Sequence, residues 1–216
     1  MELEKIKSNG IEYEKPKDLA EVFNFFSGKA DTVFKEDYIW EQFVELFSIL
    51  YLNDIKGYYG NEKIATSNWT QHTAATFYKT SQILDILCDF EVENRHDGAI
   101  RTPDGHVYLC AEWEFNASSV LTKKGEIEKL YKTVSKYKTC AAFLFTYLIN
   151  IDYKDFAFKI YDLWNNLHKE NEDYLLYFTS ALMKRDEIEK VNYVYGIRTL
   201  VFGKGTVDIW DDYTKV

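Results

Sequence analysis

The chain has 216 residues, with 26 Lys and Arg against 35 Asp and Glu, giving a net charge of −9. Hydrophobic residues make up 46%, enough for a full core, which excludes a disordered chain. Only 2 Pro and 10 Gly exclude collagen-like and Pro-rich classes.

No apolar run reaches the roughly 18 residues of a membrane span. The opening MELEKIKSNG lacks the apolar stretch of a secretory signal. The length suits one domain, 1–216, read as a helical extension over about 1–65 and a core over about 66–216. Cys88, Cys110 and Cys140 lie in apolar surroundings without CxxC spacing, as expected of buried thiols in a reducing cytoplasm. His72, His96, His106 and His168 share no metal-ligand spacing.

In chain order, Leu19, Val22, Phe23 and Phe26 predict a helix over 17–28. Trp40, Phe43, Val44, Phe47 and Tyr51 predict a second, largely buried helix over 36–52. GYYGNEK at 57–63 reads as a turn-rich connection. A third helix is expected over about 70–87, capped by Ser67 or Asn68, with Ala74, Phe77, Ser81 and Leu84 inward.

The texture then changes. Residues 89–100 and 106–115 read as the two arms of a hairpin, joined by Thr102-Pro103-Asp104-Gly105. A helix over about 126–138 follows Gly125, with Ile127, Leu130, Tyr131 and Val134 inward. AAFLFTYLI at 141–149 suits a strand buried on both faces. Phe156, Ile160, Leu163, Trp164 and Leu167 predict an inward face for a helix over 153–168. Residues 173–183 read as a strand or a buried helix, and 191–202 as the last strand. The order predicts an α/β fold with a mixed central sheet flanked by helices.

One segment carries chemistry. Asp97 opens the hairpin, and Glu112-Trp113-Glu114 lies in its second arm. Strand alternation puts Glu112 and Glu114 on one face, and the hairpin can bring Asp97 beside them. Three converging carboxylates repel one another, and burying even one unpaired charge is costly. A hard divalent cation, Mg²⁺ or Mn²⁺, would relieve the repulsion and support phosphodiester hydrolysis. The alternative is a solvent-facing ExE whose acids are paired by lysines.

Asp97, the fifteen-residue interval, Glu112-x-Glu114, and the helix and apolar strand that follow resemble the core of the PD-(D/E)XK nuclease superfamily, whose fold is restriction-endonuclease-like. The resemblance spans about residues 70–150. His96-Asp97 stands in the PD position, and Glu114 replaces the usual lysine, as in Glu-x-Glu type II restriction enzymes. RHDGAI and AEWEFN are also similar to a subgroup carrying R-x-D and E-[HW]-E-N, except that Phe115 here separates Glu114 from Asn116.

The resemblance implies a Mg²⁺-dependent nuclease acting on nucleic acid, DNA first, of restriction or defence type and working as a homodimer. Asp97 and Glu112 would be metal ligands, and Glu114 the third catalytic residue. The missing lysine leaves a cation to be found. Lys129, Lys132 and Lys136 share a helix face within a stretch, 123–138, of local charge +4, and Arg95 and Arg101 flank the hairpin. Glu41, Glu45, Glu91 and Glu93 are candidates for a further upstream acid. The net acidity suits two rivals, an inactive nuclease-fold interaction protein and an acidic DNA mimic. Neither a P-loop nor a G-x-S-x-G elbow is present.

Overall fold

The structure, a computed structural model, describes residues 3–8, 11–16, 39–59, 66–91, 95–122, 125–137, 140–149, 152–170, 172–185, 188 and 192–214. The fold is mixed α/β, with a seven-stranded mixed sheet flanked by helices. Two short strands, β1 (Leu3–Ser8) and β2 (Ile11–Pro16), pair antiparallel as a separate sheet. They replace part of the helical extension expected over 1–65. The helix expected over 17–28 lies outside the described residues.

Helix α1 (Ile39–Tyr59) runs into the segment read as a connection at 57–63, and α2 spans Thr66–Ile83. The main sheet runs in the order β3 (Leu87–Asp89), β4 (Gly98–Arg101), β5 (Val107–Glu114), β6 (Ala141–Ile149), β7 (Leu176–Arg185), β8 (Asn192–Gly203), β9 (Thr206–Thr214). Between them come α3 (Ala117–Val120), α4 (Glu126–Lys136) and α5 (Tyr153–Leu167). Residues 89–100 are therefore not one arm. The chain reverses within them, and β3 pairs antiparallel with β4. Nor is β8 the last strand, since β9 pairs with it after the Lys204-Gly205 turn.

The β4–β5 turn is closed by Gly105 N donating to Thr102 O (2.9 Å) and Thr102 N donating to His106 O (2.9 Å). Gly105 has φ +88°, a backbone that residues with a Cβ rarely adopt. Strands β5, β6 and β7 are parallel, so each needs a crossover, and α4 and α5 supply them.

Alternation along β6 divides the core. Phe143, Phe145 and Tyr147 pack under α1 and α2 with Phe43, Phe47, Tyr51, Trp69 and Phe77. Ala142, Leu144 and Leu148 pack under α4 and α5 with Leu130, Val134, Ile160 and Trp164. Two coverings on one strand explain its unbroken apolar run. On α5, Leu163 is exposed where the periodicity placed it inward, and Leu167 is half-buried. Cys110 and Cys140 are buried, Cys88 is half-buried, and all three are free thiols.

Gly98, the first residue of β4, sits where a Cβ would come within 2.8 Å of the Phe77 ring and 3.1 Å of Trp113. A methyl group there must push α2 away from the hairpin. Gly98→Ala is expected to cost about 1–3 kcal/mol by urea unfolding, as overpacked sites do. An unchanged urea midpoint would show that the ring yields freely.

Candidate functional site

The β4–β5 pairing ends at Gly98↔Ala111, so one step further Asp97 stands opposite Glu112. Asp97 is held there by the strand itself, since the Trp113 amide donates to its Oδ2 at 2.8 Å. Glu112 pairs across β5–β6 with Leu144, so it points toward α4 and is 2% exposed. A carboxylate so deep in an apolar face must find partners.

Helix α4 provides them. Lys129 Nζ lies 2.7 Å from Glu112 Oε1 and 3.4 Å from Glu126 Oε2. Glu126, Lys129 and Thr133 recur at i, i+3 and i+7 on one helix face. Ile127, Leu130, Tyr131 and Val134 anchor α4 on the sheet. His96, fully buried, completes the group. Its Nδ1 is hydrogen-bonded to Glu112 Oε1 and its Nε2 to Thr133 Oγ1 at 2.7 Å.

The charges do not balance. Asp97, Glu112 and Glu126 face one ammonium. Burial above all, then the neighbouring Glu126 and Asp97, pushes the Glu112 carboxyl up to about 10, against the pull of Lys129. Burial also raises Asp97, opposed by the Trp113 amide and Lys129 and assisted by Glu126 and Glu91. Burial works against the Lys129 ammonium, but Glu112, Glu126 and Asp97 outweigh it and the net shift is upward. At neutral pH Lys129 therefore stays charged, and Glu112, the deepest acid, holds a proton.

The donor set is oxygen-rich, and a hard divalent ion is the species that would supply the missing charge and return Glu112 to its carboxylate form. Among the described residues no three His, Cys, Asp or Glu side chains form a ready ligand group. The expected gathering of Asp97, Glu112 and Glu114 is thus not met. Glu114 Oε1 instead accepts the Asn116 amide at 2.9 Å, in the turn that enters α3. Two carboxylates, Asp97 and Glu112, still suit an ion such as Mg²⁺ that retains much of its water.

The other candidates fall elsewhere. Of the three lysines expected on one face, only Lys129 reaches the acids. Lys132 pairs with Glu128 at 3.2 Å, and Lys136 lies 4.5 Å over the Tyr137 ring. Arg95, 88% exposed, is 3.9 Å from Glu91, and Arg101 is 3.3 Å from Asp89. Glu41 and Glu45 belong to α1, which packs on the opposite face, and Glu93 lies outside the described residues.

Three residues of the group were not singled out from sequence as members: Glu126, Thr133 and, except as a stand-in for the motif proline, His96. The signal for the first two was their i, i+3, i+7 phase with Lys129. His96 carries no such signal, because its role depends on a contact across the fold.

A pH dependence follows. The folded chain keeps a proton on Glu112 that the unfolded chain releases near its ordinary value of 4.5. Its contribution to stability is therefore full below that value and is lost as pH rises toward about 10. Glu112→Gln, of the same shape without the charge, removes this loss. Its thermal midpoint should fall less than that of the wild type between about pH 6 and about pH 9. Parallel curves would mean that Glu112 is an ordinary ionised carboxylate.

Neither family models, nor curated proteins, nor solved structures give a significant match to the chain.

Proposed function

We propose that this chain is a metal-dependent nuclease of PD-(D/E)XK type that hydrolyses phosphodiester bonds, in DNA first, with Mg²⁺ or Mn²⁺ as cofactor. The observation that carries the reading is the buried Glu112 opposite Asp97, with the Lys129 ammonium 2.7 Å away. The order of elements supports it: helix α2, antiparallel strands β3, β4 and β5, helix α4, then β6 parallel to β5. The resemblance implies helix, hairpin, helix and strand; β3 and the short α3 are additions to that order, and the acids lie at its hairpin.

Asp97 and Glu112 would hold the ion. Once bound, it would activate a water molecule and offset charge building on the phosphate. The Trp113 amide keeps Asp97 pointed at the site. Lys129, with its side chain 25% exposed, takes over the charge of the absent motif lysine from a neighbouring helix and is open to a phosphate oxygen. Glu126 keeps that ammonium protonated and aimed.

The test combines binding with turnover. Calorimetric titration should give saturable Mn²⁺ binding that Asp97→Asn abolishes. Mg²⁺-dependent plasmid nicking should fall to background in Glu112→Ala and about a hundredfold in Lys129→Met, the scale of losing one donor to a developing oxyanion. A wild type inert on DNA and RNA with either metal would overturn the reading in favour of a non-catalytic interaction protein. The net charge of −9 already suits that rival.

A further inference from the structure

His96 is the one fully buried histidine in contact with the site. It does not fit the usual roles. As a metal ligand it would need a free ring nitrogen, but Nδ1 is engaged by Glu112 Oε1 and Nε2 by Thr133 Oγ1. As a general base it would need to reach substrate or water, and none of its surface is exposed.

Its contacts define another role. They tie together three elements that the chain brings from separate places: the segment entering β4, the strand β5 and the helix α4. Glu112 Oε1 is hydrogen-bonded with His96 Nδ1 and paired with the Lys129 ammonium. With that oxygen fixed from two sides and the side-chain root set by the strand, the plane of the carboxyl group is fixed as well. Thr133 lies one turn beyond Lys129 on α4, so the hydroxyl that holds the imidazole and the ammonium that holds the carboxyl move as one body.

We infer that His96 and Thr133 are positioning residues, a relay from helix α4 through the imidazole that sets the orientation of the Glu112 carboxylate for a divalent cation. The inference rests on the proposed metal-dependent reading and goes beyond it, because neither residue belongs to the motif that suggested that reading. Lost outer-shell partners of this kind weaken metal affinity by roughly ten- to a hundredfold.

The experiment measures Mn²⁺ affinity of the full chain by calorimetry, with the thermal midpoint recorded alongside. Thr133→Val keeps the shape of the side chain and removes the hydroxyl, so the fold is expected to survive. Mn²⁺ affinity should drop roughly tenfold or more. Thr133→Ser, which restores a hydroxyl at the same position, should recover it. His96→Gln should weaken binding at least as much.

A wild type that binds Mn²⁺ beside a Thr133→Val variant that binds it equally well would overturn the relay and leave the nuclease reading standing. A drop in Thr133→Val that serine does not rescue would also overturn it, as a packing effect. A wild type that binds no Mn²⁺ would instead remove the metal-dependent reading, and the relay's role would fall with it. If Thr133→Val fails to fold, the comparison passes to Thr133→Ser and His96→Gln. There, equal affinity of His96→Gln and wild type is the overturning result.

Discussion

A buried carboxyl group on a strand that, apart from Glu114 at its end, is otherwise built of Val, Tyr, Leu, Cys, Ala and Trp governs this molecule. Glu112 is 2% exposed, and the sheet, the hairpin and helix α4 each send it a partner. His96 comes from the hairpin, Lys129 from the helix, and Leu144 packs beside it across the sheet. An isolated charge at that depth would cost more than a domain of ordinary stability can carry. The arrangement survives because the group keeps a proton and because an ammonium stands beside it. That compromise leaves the site short of positive charge, with Asp97 and Glu126 sharing the single Lys129 ammonium.

The rest of the fold holds this compromise in place. Phe143 meets Phe43 and Phe47 edge to face and Phe77 tilted, on the side away from the acids, and these rings brace the sheet. Gly98 lets α2 approach the hairpin so closely that no side chain fits between. The hairpin end that carries Asp97 is thereby held by packing and by the Trp113 amide.

Much of this was legible in residue order. The alternation of 106–115, the TPDG turn and the apolar run of 141–149 fixed the hairpin and the central strand by simple periodicity. Asp97 and Glu112 followed from the hairpin's geometry; the helix phase offered Lys129 only as one of three lysines, of which Lys132 and Lys136 pair elsewhere. The errors have physical causes. Residues 89–100 mix charge with short apolar pieces, so the reversal between β3 and β4 left no periodic trace. Strand β9 is rich in Asp, which depresses any strand reading from propensity. The β1–β2 pair was overlooked although an Asn-Gly dipeptide, a strong hairpin signal, stands between its strands. Glu114 was placed with Glu112 because alternation fixes a face and says nothing of distance along the strand. At the strand's end the nearest donor is the backbone of the next turn.

Helix α4 has a double duty. Its apolar residues, Ile127, Leu130, Tyr131 and Val134, seat it on the sheet, and the angular phase they impose is what delivers Glu126, Lys129 and Thr133 to the acids. Sliding this helix by one position would put Leu130 or Glu128 where the Lys129 ammonium meets Glu112. The grease on one side of the cylinder is thus the clockwork for the charges on the other. A substitution that merely loosened Leu130 would shift Lys129 and Thr133 against Glu112 and His96 without touching any acid or base.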